Sequence, residues 1–400
     1  MKASSIQFNF VTLLSLIFIL RPNLNHVSHS LTRISDAAIL GFIVIVVIFH
    51  KRLNICRDFM YLSIPYNFWL FLVLLTISLP LSSNASNFLD LFEVMRYPLF
   101  IMLPFLIGYK YINCNNRKIF FKTVLIFSIL LMFLQFSGLA NNLFIKLYSQ
   151  ANLNQGRATG VALFIQECAW IILVCCAVLS DYYVGAKRKI IVYIVPGVVL
   201  LTASKTAILM YIFFVFFAQI SLFRKDLLTI RFWMFSVLAL FLMACLIVYL
   251  AENFLQFRVS LYDSVIAAIN GDYSDKSFSQ RIHTFDRLLS DIELQPLSVF
   301  YGTDPLFLYR TLRYEMSFFN ISAKIGLVGF LCICIVYSYP MFLAIKNKFI
   351  SPSTILLTCV FLSIVIASVT GASMEGIKGS FIYFLALGSL YTYNREQKRL

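Results

Sequence analysis

Residues 156–189 read GRATGVALFIQECAWIILVCCAVLSDYYVGAKRK, and the reading of this stretch decides the fold. An apolar run from 161 to about 182 carries only Glu167 and Asp181 as charges, with Arg157 before it and Lys187-Arg188-Lys189 after it. About 20 apolar residues cross a hydrocarbon core as a helix, so this run is long enough to span. The same pattern recurs in both directions along the chain. Hydrophobic residues make up 60% of its 400 positions and charged residues 13%, against about 25% charged in an ordinary soluble domain. These runs are too long and too uniformly apolar for barrel strands, and helices satisfy every backbone group within one segment. The sequence therefore predicts an all-α polytopic integral membrane protein with about 12 transmembrane helices. The candidate spans are about 6–20, 36–50, 59–81, 94–112, 119–140, 161–182, 189–203, 206–223, 232–251, 317–344, 353–370 and 380–393.

Charge placement fixes the expected orientation. With a cytoplasmic N-terminus and twelve spans, 19 of the 33 Lys and Arg fall on cytoplasmic segments, from Lys2 through Arg117 and Arg188 to Arg399. Only 4 of the 18 acids join them, namely Asp58, Asp181, Asp226 and Glu396, which leaves 14 bases and 14 acids elsewhere. The whole net charge of +15 thus sits on one side, as the positive-inside rule requires of short loops. Both termini are expected in the cytoplasm, and the basic composition calls for no nucleic-acid partner. The first apolar run lacks a small-residue cleavage site before Arg21-Pro22 and reads as an uncleaved span. Nine cysteines in spans or on the cytoplasmic side form neither a disulfide framework nor a Cys/His zinc spacing.

No internal repeat, linker or low-complexity tract interrupts the chain, so 1–400 reads as a single membrane domain. Its one long connection is a large outer loop, 252–316. There Phe278, Ile282, Phe285, Leu289 and Ile292 recur at helical spacing with polar residues between them. Phe254, Phe257, Leu261, Val265 and Ile269 form a second such row, and both read as amphipathic helices. A connection longer than about 15 residues is usually functional or disordered; the aromatic and aliphatic content argues for function.

Four constellations at the outer ends of the spans combine a base with small or polar neighbours. They are Gly156-Arg157-Ala158-Thr159-Gly160 followed by Gln166-Glu167, then Thr202-Ala203-Ser204-Lys205-Thr206-Ala207 where two spans meet with almost no loop. The third is Ser279-Gln280-Arg281 leading to Pro296 and Tyr301-Gly302. The fourth is Arg310, Arg313 and Glu315 before Phe319-Asn320 and Gly326-Leu327-Val328-Gly329. In order and spacing these resemble the bacterial O-antigen polymerase (Wzy) and O-antigen ligase superfamily, over roughly 150–385. The resemblance implies a GT-C-like fold with a periplasmic loop, in the inner membrane. It also implies transfer of glycan from an undecaprenyl-diphosphate-linked oligosaccharide to a lipid-linked repeat unit, with membrane lipids and a polysaccharide chain-length regulator as partners. Ligases of this superfamily resemble one another in a histidine beside the asparagine that opens the tenth span; here Phe319 stands there, which tilts the reading to polymerase. The arginine followed eleven positions later by glycine, seen in some polymerases, has no outer-side counterpart.

A lipid diphosphate leaving group needs fixed cations that hold harder as charge develops. Arg157, Lys205 and Arg281 are the candidates, and Glu315 is the candidate base for the acceptor hydroxyl. Arg310, Arg313, Glu167, Asn320 and Tyr301 are expected to bind substrate. Several have a plainer rival: Arg157, Arg310 and Arg313 sit in headgroups, Glu167 pairs with Arg157, and Tyr301 belongs to an aromatic belt. Lys205 is harder to explain away, because a lysine between two spans without a loop faces an aqueous cavity or a partner. Lys378 is a weaker candidate for the same cavity, and His283 reads as a solvated loop residue. With no metal-ligand cluster on the outer side, a reaction without metal or cofactor is expected. The rival class is a lipid-linked oligosaccharide flippase, which would tend to show repeats and charges at the midplane; ligase and capsule polymerase are rivals within the superfamily. Reporter fusions at Asn270 and at Leu400 are expected to report the outer and cytoplasmic sides respectively. The same side for both would sink the twelve-span topology.

Overall fold

The protein is described here by a computed structural model, continuously over 10–22, 101–137, 157–162, 165–222, 296–301, 326–335, 351–370 and 377–397. Scattered positions within 34–45, 139–148, 234–253, 286–294 and 322–342 are described as well. The described residues are mostly helical and contain no strand. In chain order the helices are α1 (Phe10–Leu20), α2 (101–111), α3 (Cys114–Phe136) and α4 (Ile165–Leu179). Next come α5, α6 (Lys205–Leu222), α7 (Ser298–Tyr301), α8 (Gly326–Ile335), α9 (Pro352–Thr370) and α10 (Ile377–Gln397). α5 is a composite of an α-turn at Gly185–Lys189, π-turns at Ile190–Ile194 and 3-10 turns at Val195–Thr202.

Local chemistry explains where these helices start and change. The Asn113 side chain accepts the N–H of Asn116 at 2.9 Å and caps α3. In α5, Pro196 has no N–H to donate to the preceding turn, so the regular ladder cannot run through it. Tyr211 from α6 donates its hydroxyl to the Tyr193 carbonyl at 2.7 Å, which satisfies one acceptor at the irregular turns.

Packing is organised around α4. Of its 15 residues all but Gln166 are buried, and α3, α5, α6, α9 and α10 all lie against it. α9 also packs along α6, and α1 against α3. The peripheral helices are apolar on their outward faces too. Ile126, Leu130 and Phe133 form an exposed row on α3, as do Phe10, Leu13 and Ile17 on α1 and Leu327, Leu331 and Ile335 on α8. A helix at the surface of a soluble protein turns charged residues outward; these turn aliphatic and aromatic ones. By length and composition, Cys114–Phe136 is the one helix among the described residues able to cross a membrane, and several shorter apolar helices accompany it.

α2 and α10 cross in backbone contact. A Cβ at Gly108 would stand 2.2 Å from the Leu385 carbonyl oxygen, and one at Gly388 would stand 2.1 Å from that of Phe105. Only glycine permits such an approach. Near this crossing Thr392 donates its hydroxyl to the Tyr109 carbonyl at 2.6 Å.

At that end of the bundle a buried ion pair ties four helices. Arg117 of α3 donates to Asp181 Oδ2 at 3.0 Å, to Ser389 Oγ at 3.1 Å and to Ser353 Oγ at 3.4 Å. Asp181, just past α4, receives the Ser353 N–H at 3.0 Å and the Ser353 hydroxyl. The guanidinium also lies 4.8 Å from the Tyr393 ring centroid and 5.7 Å from that of Tyr182. Both charged side chains are sealed from solvent, at 0% and 1% exposure. Removing one partner leaves the other charge buried and uncompensated, at a cost of about 3–5 kcal/mol. Arg117→Met is therefore expected to lower the thermal midpoint of the purified protein sharply. A midpoint within a degree or two of the parent would show that the pair does not hold the bundle together.

Candidate functional site

At the opposite end, the segment 157–162 is folded by one side chain. Gln135, in the last turn of α3, accepts the N–H groups of Thr159 and Gly160 at 2.9 Å each and returns its own amide N–H to the Gly160 carbonyl at 3.2 Å. Gly160 sits at φ 55°, a left-handed conformation that favours glycine, and its Cβ would press on Cys168 Sγ at 3.1 Å. Thr159 donates its hydroxyl to the Tyr148 carbonyl at 3.2 Å. Arg157 opens this segment, half-buried. Among the described residues no carboxylate or acceptor meets its guanidinium, and burial alone pulls its pKa below the ordinary value.

The next residue joins the second constellation. Ala158 donates its N–H to the Leu201 carbonyl at 3.3 Å, so the 157–160 segment lies against the 202–207 hairpin. There α5 ends at Thr202, whose hydroxyl donates to the Val199 carbonyl at 2.8 Å. Ala203 takes a left-handed φ of 47° that turns the chain within one residue, and Ser204 Oγ receives the Ala207 N–H at 3.4 Å as α6 begins. Lys205 is the first residue of α6 and is exposed. A cation there adds to the partial positive charge of the helix N-terminus, a combination that attracts an anion.

Glu167, expected to bind substrate and with Arg157 as its rival partner, is engaged elsewhere. Glu167, buried in the first turn of α4, accepts the N–H of Lys378 at 2.7 Å and of Gly379 at 3.1 Å, and so caps α10 with a negative charge. Lys378 Nζ donates to the Val161 carbonyl and to the Arg21 carbonyl, both at 2.7 Å, and lies 5.9 Å from the Tyr148 ring centroid. Gly379 allows the approach, since a Cβ there would come within 2.5 Å of the Trp170 ring. The described ends of the third and fourth constellations meet as well. Gly326, at φ 74°, opens α8 against α7, and a Cβ on it would stand 2.4 Å from the Val299 carbonyl oxygen. Tyr301 ends α7. Arg281, Arg310, Arg313, Glu315 and Asn320 lie outside the described residues, as do His283 and most of the two amphipathic rows.

Neither a protein-family model nor a curated protein matches this chain. The class defined by the described residues is thus an all-helical bundle with a polar, cation-bearing cluster at one end and a sealed ion pair at the other.

Gln135 and Tyr148 were not singled out by sequence. A glutamine in the last turn of an apolar helix, 24 residues before the backbone it folds, is the only signal the first one leaves. Its loss would strand two buried N–H groups, at about 1–3 kcal/mol each. Gln135→Ala is expected to destabilise the protein by that order. Gln135→Glu, which keeps both acceptors but sets a carboxylate oxygen against the Gly160 carbonyl, is expected to cost as much or more. Denaturant unfolding in detergent measures both, and a neutral Gln135→Ala would show that the segment is held by other groups.

Proposed function

We propose that this protein is a polysaccharide polymerase of the O-antigen polymerase type, embedded in the inner membrane with its reaction at the outer face. The membrane reading is supported by the outward apolar rows on α1, α3 and α8, which are exposed without solvent-compatible side chains. The orientation is supported by who meets whom. Segments assigned by charge to the cytoplasm contact one another at the Arg117 end, where Arg117, Asp181 and Ser353 gather. Segments assigned to the outside contact one another at the other end, as in Arg21 with Lys378 and Ala158 with Leu201.

The observation that carries the catalytic reading is the backbone joint between Ala158 and Leu201. It sets Arg157, which meets no counter-charge among the described residues, beside the hairpin that presents Lys205 at the start of a helix. In the proposed reaction an acceptor sugar hydroxyl attacks the anomeric carbon of the donor, and the bond from that carbon to the diphosphate oxygen breaks. The leaving group is undecaprenyl diphosphate. Arg157 grips its oxygens with a planar fork and Lys205 adds a point charge, with Arg281 from the outer loop completing the set. Glu315 accepts the proton of the attacking hydroxyl. Arg310, Arg313, Asn320 and Tyr301 hold the saccharide, while Glu167 acts from beneath by fixing α10. Exposed Leu289, Leu294, Leu297 and Phe300 in the outer loop offer an apolar surface for the lipid chains.

Alanine at Arg157, Lys205 or Arg281 is expected to slow transfer roughly a hundredfold or more, which is about 2–4 kcal/mol of barrier, with insertion unchanged. Arg157→Lys should rescue poorly. Glu315→Gln is expected to stop polymer growth while single repeat units still reach the surface, and His283→Ala should leave the polymer ladder largely intact. Near-normal polymer from all three alanine variants would refute the cation assignment, and reversed phenotypes at Glu315 and His283 would move the base to the loop helix.

A further inference from the structure

Lys378 has no role in the transfer chemistry just described, yet it is buried at 4% exposure and its ammonium is committed to backbone. Two of its three N–H donors go to carbonyls on separate segments, Val161 directly after the Arg157–Gly160 turn and Arg21 just past α1. Its third side faces the Tyr148 ring, and Tyr148 in turn receives the Thr159 hydroxyl on its carbonyl and donates its own hydroxyl to the Leu20 carbonyl. The lysine is itself held in place from behind. Glu167 takes the N–H groups of Lys378 and Gly379 at the start of α10, and Gly379 seats that start against Trp170. A buried lysine with a carboxylate behind it and two carbonyls before it is a rigid strut; burial, then the Arg21 charge, pull its pKa down to about 7, and the neutral amine keeps both N–H donors. The segment it braces is the one whose first residue, Arg157, meets no partner among the described residues.

We infer that Lys378 is a positioning residue for the glycan-transfer site, bracing the 157–162 segment against α1 and α10 and thereby setting where the Arg157 guanidinium stands. This rests on the proposed polymerase reading for its consequence in rate, but the bracing itself does not. Gln135 fixes the internal shape of the turn; Lys378 fixes its place relative to the bundle. A displacement of about 1 Å at a reacting group costs on the order of a hundredfold in rate.

The test has two arms on the full chain in lipid nanodiscs. In the first, a charged maleimide labels Arg157→Cys with and without Lys378→Met, and the second variant is expected to label several-fold faster at equal monodispersity. Unchanged labelling overturns the proposal whatever the activity. In the second arm, transfer is measured with a lipid diphosphate-linked repeat unit. Lys378→Met is expected to lower kcat by about a hundredfold with donor KM within a few-fold. Lys378→Arg should recover part of the loss, and Lys378→Met added to Arg157→Ala should lower the rate no further than Arg157→Ala alone. Multiplying losses, or an active Lys378→Met of normal kcat, overturns the positioning role. If the parent chain makes no polymer while labelling responds as expected, the polymerase reading fails and the brace stands. Should Lys378→Met fail to insert, Lys378→Gln carries the same comparisons.

Discussion

The Arg117–Asp181 pair is the constraint on which the bundle rests. Taking a guanidinium and a carboxylate out of water is costly, and the attraction between them offsets that cost only when the remaining donors and acceptors are matched. Here they are, by Ser353 of α9, by Ser389 and the Tyr393 face of α10, and by the face of Tyr182 beside Asp181. The satisfied pair thus dictates how α3, α4, α9 and α10 come together at that end. The near-complete burial of α4 accompanies helices brought that close, and α2 joins them through its glycine-to-backbone crossing with α10.

Two arginines of one chain show how surroundings decide chemistry. Arg117 donates from all three of its guanidinium nitrogens to protein and is sealed from solvent. Arg157 is half-buried at the head of a segment whose turn Gln135 shapes, and its charge is unanswered by the described residues. The first arrangement suits cohesion. The second suits recognition of an anion, since a positive charge that the protein leaves uncompensated favours a negative ligand.

Much of this was legible in the sequence because it is local or periodic. Apolar runs announced the helices, and the near-absence of a loop at 202–204 announced a tight hairpin, which Ala203 makes in one left-handed residue. Small residues beside Arg157 marked the segment at the mouth of its span, but the turn that Gly160 makes there at positive φ was not among the expectations. What stayed hidden was contact across long stretches of chain. Glu167 meets α10 across 211 residues, and no spacing rule connects them. The sequence reads Glu167 as a substrate-binding group, with nearby Arg157 as the plainer rival partner, whereas the N–H groups at the start of α10 offer it two donors at once. Arg117 entered the sequence reading only as one cytoplasmic base among many, because charge counting cannot tell a buried arginine from a solvated one.

α4 carries Glu167 in its first turn and Asp181 just beyond its last, about 20 Å apart at 1.5 Å per residue. One stiff rod therefore has its foot in the ionic clamp and its head under the brace that supports Arg157. On a lever arm of that length a tilt of about 3° moves the far end by about 1 Å, the displacement that geometry-sensitive catalysis does not tolerate. The two ends share no residue, yet the angle of α4 is common to both. A perturbation confined to the sealed end would thus be felt at the open one as misalignment, without any change in the groups around Arg157.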